Sequence, residues 1–251
     1  MITIIFLNLR FFGTNFIKTK EYMIKDSHIP KTFHGIKILH FSDLLFGSTI
    51  LLNDLEELKS EFLKIKPDIV IFTGDMISNN YNLSKEEIDK LTNFFLDIPF
   101  TIGKYTVKGE MDNSTFDLIM NNAQFNILEN EYKLVYYQEN NPIAIVGLNS
   151  NQINLENINN QELNDLYKIT LIHNFDYYDQ SLNSNLVFAG HNLNGEIYIP
   201  FIKGILGNNR YNENYYQINN SYIYISNGLG TKHNIRMFNH PSINVYRLQN
   251  Y

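Results

Sequence analysis

The chain has 251 residues, with 20 Lys and Arg set against 26 Asp and Glu, a formal net charge of −6 and no long basic run. That balance argues against a nucleic-acid-binding surface as the main business of the protein, and an acidic ligand would need a local cation to neutralise it. With no cysteine, disulfides and thiolate metal sites are excluded, so any metal must be held by His, Asp, Glu or Asn, and the redox compartment stays open.

Residues 1–16 run from Met1 to Phe16 (MITIIFLNLRFFGTNF) and begin apolar, but Asn8 and Arg10 interrupt the run. It falls short of the roughly 20 apolar residues of a spanning helix. A charged start and a small-residue cleavage site are missing, so it does not read as a signal peptide. It is expected to pack on the domain or to make peripheral contact with a membrane surface. Residues 1–34 form a lead-in on this reading, and residues 35–251 form one domain of a size that buries a substantial core.

From Gly35 to Asp75 the pattern is strand, helix, strand. Ile36, Ile38, Leu39 and Phe41, then Ile69, Val70, Ile71 and Phe72, are the β-branched and aromatic runs of strands buried on both faces. Between them, Asn53 and Glu56 suggest a helix start, and Leu55, Leu58, Phe62, Leu63 and Ile65 keep a helical period up to Pro67. Such a unit closes right-handed and places both strands in one parallel sheet, with Asp43 and Asp75 at its carboxyl edge. Ligands of open α/β sheets bind there, so the two acids are either a cation site or two separate turn residues.

Further along, Ser84 and Glu87 form a capping box for a helix ending near Pro99, and residues 103–109 read as a strand that delivers Glu110, Met111 and Asp112 to the same edge. Residues 114–123 read as a short helix, and residues 134–137 and 143–148 as a hairpin turning at Asn140-Asn141-Pro142. Residues 149–163 are Asn-rich and read as a loop with a short helix. Later strands end at His173 and at Gly190-His191, and residues 222–226 and 243–247 close the chain as strands. The order of elements predicts two packed sheets flanked by helices. Asp43, Asp75, Glu110, His173 and His191 thus sit at strand ends, and together they form a plausible oxygen and imidazole set for Mn, Fe or Zn.

In that order the chain resembles a calcineurin-like metallophosphoesterase of the small, often membrane-anchored bacterial branch. The family's Asp-x-His is Asp43-Leu44-Leu45 here, its Gly-Asp is intact as Gly74-Asp75, and its Gly-Asn-His-Asp or Glu is Gly109-Glu110-Met111-Asp112. The lone histidine matches His173. Gly-His-x-His is Gly190-His191-Asn192-Leu193, and the tail Gly228-Leu229-Gly230-Thr231 with Arg236 and Pro241 is similar too.

The resemblance implies a four-layer α/β/β/α sandwich of two mixed sheets. It implies two metals that share Asp75, polarise phosphoryl oxygens and generate a hydroxide nucleophile. With Leu45 and Leu193 at degenerate ligand positions and Met111 at the catalytic histidine position, it implies one divalent ion instead of two, held by Asp75, Glu110, His173 and His191. The expected ligands are a phosphorylated small molecule or a lipid phosphate. Low or lost hydrolysis is expected because Leu45, Met111 and Leu193 are all apolar; the alternative is an active metal-dependent phosphoesterase on a phosphomonoester, phosphodiester or lipid-linked phosphate.

Overall fold

The computed structural model describes residues 17–156, 158, 161–178, 182–191, 211, 213–231 and 240–251. The expectations placed on residues 1–16, Asn192, Leu193 and Arg236 lie outside the described residues.

β2 (Lys37–Phe41) and β3 (Ile69–Phe72) run parallel, Ile38 against Ile69 and Phe41 against Phe72, with α1 (Leu52–Ile65) as their crossover. The helix starts two residues earlier than its Asn53 and Glu56 suggest. Asp54 reaches back to accept the Leu51 backbone N–H at 2.8 Å, because an acid three positions into a helix satisfies an otherwise orphaned donor. The helix stops where Lys66 turns left-handed (φ 50°), ahead of Pro67. α2 (Lys85–Leu96) has the expected box, Ser84 N–H to Glu87 at 2.8 Å and Glu87 N–H to Ser84 Oγ at 3.3 Å. β4 (Gly103–Thr106) lies parallel to β3, and α3 (Ser114–Asn122) is capped by Asn113 Oδ1, which accepts the Thr115 N–H.

β5 (Asn126–Ile127) ends one side of this sheet. On the other side β12 (Ser242–Gln249) lies antiparallel to β2, and β1 (Lys18–Lys25) lies parallel to β12. The order is β1-β12-β2-β3-β4-β5. The second sheet contains β6 (Glu131–Tyr137), β7 (Glu139–Leu148), β8 (Lys168–Ile172), β9 (Leu186–Ala189), β10 (Tyr215–Ile218) and β11 (Ser221–Ile225), in the order β10-β11-β9-β8-β7-β6. The β6–β7 hairpin turns at Gln138 (φ 65°), earlier than expected. Pro142 falls where the register slips between Val135 and Tyr137, a stretch that tolerates a residue with no N–H to give.

Alternation along each strand sorts the core into layers. Ile38, Ile69 and Ile71 face Ile145, Ile169, Leu171 and Phe188 between the sheets, while Leu39, Phe41, Val70 and Phe72 meet Leu58, Phe62, Leu91 and Phe95 from the helices. Phe41 has its ring centroid 4.9 Å from Phe62 and 5.1 Å from Phe72. Such pairs contribute about 0.5–1.5 kcal/mol each beyond burial. The outer face of the second sheet packs Val146, Ile172, Val187 and Ile223 against Leu163, Phe175 and Leu182. The described part of the second half is thus mainly β, and the carboxyl ends of β2, β3, β4, β8 and β9 bring their following residues together.

That convergence depends on close backbone approach at Gly74. Its φ is +87°, and a Cβ there would lie 2.3 Å from the Gly109 nitrogen. Gly74→Ala is therefore expected to lose at least the about 1–3 kcal/mol that a strained φ costs, read as a lowered urea midpoint. An unchanged midpoint would contradict this packing.

Candidate metal centre

Asp43 and Asp75 follow β2 and β3 and are buried, and the Asp43 N–H donates to the Gly74 carbonyl at 2.9 Å. Asp43 (φ 49°), Leu45 (φ 45°), Asp75 (φ 56°) and His191 (φ 59°) all have left-handed backbone. Non-glycine residues rarely adopt it, and clusters of them mark places where the surrounding structure holds a side chain in a set direction.

Asp75 is fixed by a reciprocal arrangement with the loop after β4. The Asp112 carboxylate accepts the N–H groups of Asp75 at 2.7 Å, Met76 at 2.9 Å and Gly109 at 2.8 Å, while Asp75 Oδ1 accepts the Met111 N–H at 3.0 Å. Burial, and then the Asp75 charge, push the Asp112 carboxyl up to about 6, against the pull of the Gly109 and Met76 N–H groups. Gly109 allows this contact, since a Cβ there would lie 2.1 Å from Asp75 Oδ1.

His173 follows β8 and is fully buried. Its Nδ1 lies 2.6 Å from the Thr73 carbonyl oxygen, which can only accept, so Nδ1 carries the proton. Its Nε2 is buried and sits 3.2 Å from Asp75 Oδ2. In the neutral ring this nitrogen is a bare lone pair aimed at a carboxylate, with the other nitrogen held by a carbonyl. That is the arrangement a metal-binding imidazole needs.

His191 follows β9, and its ring centroid lies 5.2 Å from that of His173. Asp75, His173 and His191 each offer one ligand atom within 4.8 Å of the others, so the chemistry and spacing of the three fit a divalent ion. Glu110 stands at the edge of the group and is more exposed. Its Oε2 is 3.7 Å from His191 Nδ1, and its Oε1 accepts from Asn174 Nδ2 at 3.1 Å. Asp43 lies beside the three, with Oδ2 accepting from Ser42 Oγ and from the His191 backbone N–H at 3.2 Å. Leu45 is buried, and its N–H donates to the Asp75 carbonyl at 3.2 Å; Met111 is half-buried.

Three supporting residues were not assigned roles from the sequence. Asp112 was read only as the end of a motif, and Ser42 and Asn174 not at all. The available signal was position, since each lies next to a strand-end ligand candidate.

Burial alone would lower the His173 pKa, but the Asp75 charge and hydrogen bond, with Asp43 behind them, hold it above the ordinary histidine value of 6.5. A raised folded-state pKa contributes stability that is fully present below 6.5 and is lost as pH rises through the folded value. An ion arriving at Nε2 must displace that proton. Zinc loading near pH 7 is therefore expected to release a proton, with affinity rising as pH rises above 6.5; buffers of different ionisation enthalpy in calorimetry check it, and a pH-independent affinity would contradict it.

The model of the family described as calcineurin-like phosphoesterase matches residues 36–225. The chain belongs to the calcineurin-like phosphoesterase family. It is 29% identical over 256 residues to an uncharacterised metallophosphoesterase of Bacillus subtilis, covering 96% of this chain and 88% of that one. A probable glycerophosphodiester phosphodiesterase of Arcobacter nitrofigilis is 38% identical over 88 residues, 35% of this chain and 30% of that one. A UDP-2,3-diacylglucosamine pyrophosphatase of Chlamydia muridarum is 29% identical over 94 residues, 36% of this chain and 28% of that one. Among the described residues, two mixed sheets of six strands each agree with the family's fold. Among the described residues no helix is long and apolar enough to cross a membrane.

Proposed function

We propose that the chain holds one divalent cation, Mn, Fe or Zn, through Asp75, His173 and His191 with Glu110 as a fourth donor. There it binds the phosphate of a phosphorylated small molecule or a lipid-linked phosphate, and its hydrolytic activity is low or lost. One observation carries this reading: Asp75, His173 and His191 meet within 4.8 Å while Leu45, at a family imidazole position, is buried beside them. A bound cation would polarise phosphoryl oxygens.

The chain's own residues account for the rest. Asp112 and the Met111 N–H orient the Asp75 carboxylate, the Thr73 carbonyl fixes the His173 tautomer, and Asn174 steadies Glu110. Met111 has no group that titrates near neutral pH, so it can neither protonate a leaving group nor bring positive charge to the phosphate. For a lipid-linked phosphate, residues 1–16 would supply contact with the membrane surface.

The second reading is an active metal-dependent phosphoesterase. It is favoured by the left-handed backbone at Asp43, Asp75 and His191, which keeps the strand-end carboxylates and imidazole directed, and by relatives named as a phosphodiesterase and a pyrophosphatase.

Calorimetric titration with inorganic phosphate tests the binding role. The manganese-loaded chain should bind it, and both the chelator-treated chain and Asp75→Asn should not. Equal binding with and without the ion would overturn the proposal.

A further inference from the structure

We infer that Asn174 is a positioning residue which orients the Glu110 carboxylate, so that Glu110 offers the cation site one oxygen, Oε2, while Oε1 stays with the protein. The consequence for metal binding rests on the single-cation reading above; the contact itself does not.

Asn174 directly follows His173 after β8 and is buried. It is held through three different groups. Its backbone N–H donates to Ser150 Oγ at 3.0 Å, which ties it to the residues after β7. Its side-chain Oδ1 accepts the Asp176 N–H at 3.0 Å and so caps the short helical turn Phe175–Tyr177. Its Nδ2 donates to Glu110 Oε1 at 3.1 Å.

These contacts decide which way the carboxamide points. A backbone N–H can only donate, so the end that faces Asp176 is the oxygen and the end that faces Glu110 is the nitrogen. Turning the amide over would set two donors against each other at Asp176 and two acceptors against each other at Glu110. The polarity of the Glu110 contact is therefore built into the loop after β8.

Glu110 needs such a partner. It is exposed, and an exposed glutamate is spread over several rotamers, which costs free energy to collapse when one orientation is used for binding. Its main chain is already set, because the Gly109 N–H before it donates to Asp112 and the Met111 N–H after it donates to Asp75. The side chain is what Asn174 fixes. With Oε1 taken, Oε2 is the oxygen on the side of the imidazoles, 3.7 Å from His191 Nδ1.

The test uses the full chain in two measurements. Without metal, exchange of the Asn174 carboxamide protons with water is followed by NMR in the wild type and in Glu110→Ala. Exchange should be at least about tenfold faster once the charged acceptor is removed. Equal exchange in the two chains overturns the inference.

Zinc titration then reads the orientation of residue 110. Asn174→Ser keeps an oxygen to cap the turn but loses the amide donor, and it should weaken binding by about tenfold, as loss of an outer partner of a ligand does. In a Glu110→Ala background it should cost nothing further, because the two residues act through one contact. Glu110→Gln should also weaken binding by about tenfold, because Asn174 holds the new side chain by its oxygen and leaves an amide nitrogen toward the ion. Adding Asn174→Asp to Glu110→Gln reverses the polarity of the contact and turns the oxygen back, so binding should return to within about threefold of wild type. The same Asn174→Asp in a Glu110→Ala chain should recover nothing. Equal recovery there, or no recovery in the Glu110→Gln pair, overturns the inference, and these arms decide it even where Asn174→Ser does not fold. A wild type that binds no zinc but protects the Asn174 carboxamide through Glu110 overturns the proposed function and leaves the contact standing.

Discussion

Hydrolysis of an aryl phosphate by the purified chain is expected at background with Mn, Zn, Fe or Mg supplied. General acid–base help is worth about 10²–10⁴-fold, and Met111 cannot supply it. Leu45 and Leu193 stand where the family motif carries two imidazoles, so the second ion's contribution is expected to be lost as well. Replacing all three positions, Leu45→His, Met111→His and Leu193→His, should raise the rate by orders of magnitude, whereas single replacements should do little because such groups act as a unit. Leu45 is held at φ 45°, where histidine is among the enriched residue types, so the backbone there accepts the change. A wild-type rate of about 1–10³ s⁻¹, abolished by Asp75→Asn, would contradict this account.

The second large effect is expected on stability. An ion at 100 times its dissociation constant stabilises the folded state by about 2.7 kcal/mol, which for a chain of this size is a melting shift of about 5–10 °C. A chelator should lower the melting temperature of the wild type by that amount. In His173→Ala the response should vanish, since the buried ring supplies the imidazole lone pair that faces Asp75. Glu110→Ala should reduce the response without removing it, because Glu110 is exposed and stands 3.7 Å from His191. Scanning calorimetry with and without chelator checks both. An undiminished response in His173→Ala would place the ion elsewhere.

What the sequence could show depended on how local the cause was. The buried runs ending at Asp43 and Asp75 were legible because strands covered on both faces are continuously apolar, and right-handed crossover leaves them few ways to pair. The convergence of His173 and His191 on Asp75 could be anticipated from their order at strand ends. β1 was not legible: Lys18, Thr19, Glu21, Met23 and Lys25 are exposed, so this strand, paired to β12 at the edge of the described sheet, has little apolar pattern beyond Tyr22 and Ile24.

The α1 start was misjudged because Asn53 offered a better cap than Leu51, yet the helix begins where Asp54 can reach back. The hairpin turn was misplaced because Asn-Asn-Pro is strong turn chemistry, and a register slip absorbed it. The roles of Asp112 and Ser42 depend on backbone N–H groups supplied by other loops or on a neighbouring carboxylate, contacts with no local sequence pattern. The positive φ of Asp43, Asp75 and His191 is likewise imposed by tertiary hydrogen bonds.

One cation site is expected to survive where the family motif provides two. Counting ions settles it most directly: the chain is loaded with excess Mn or Zn, desalted, and its metal content measured by inductively coupled plasma mass spectrometry against protein concentration. Close to one ion per chain in the wild type, and far less in His173→Ala, is the expected result. Two ions per chain, or none after loading, would contradict the account.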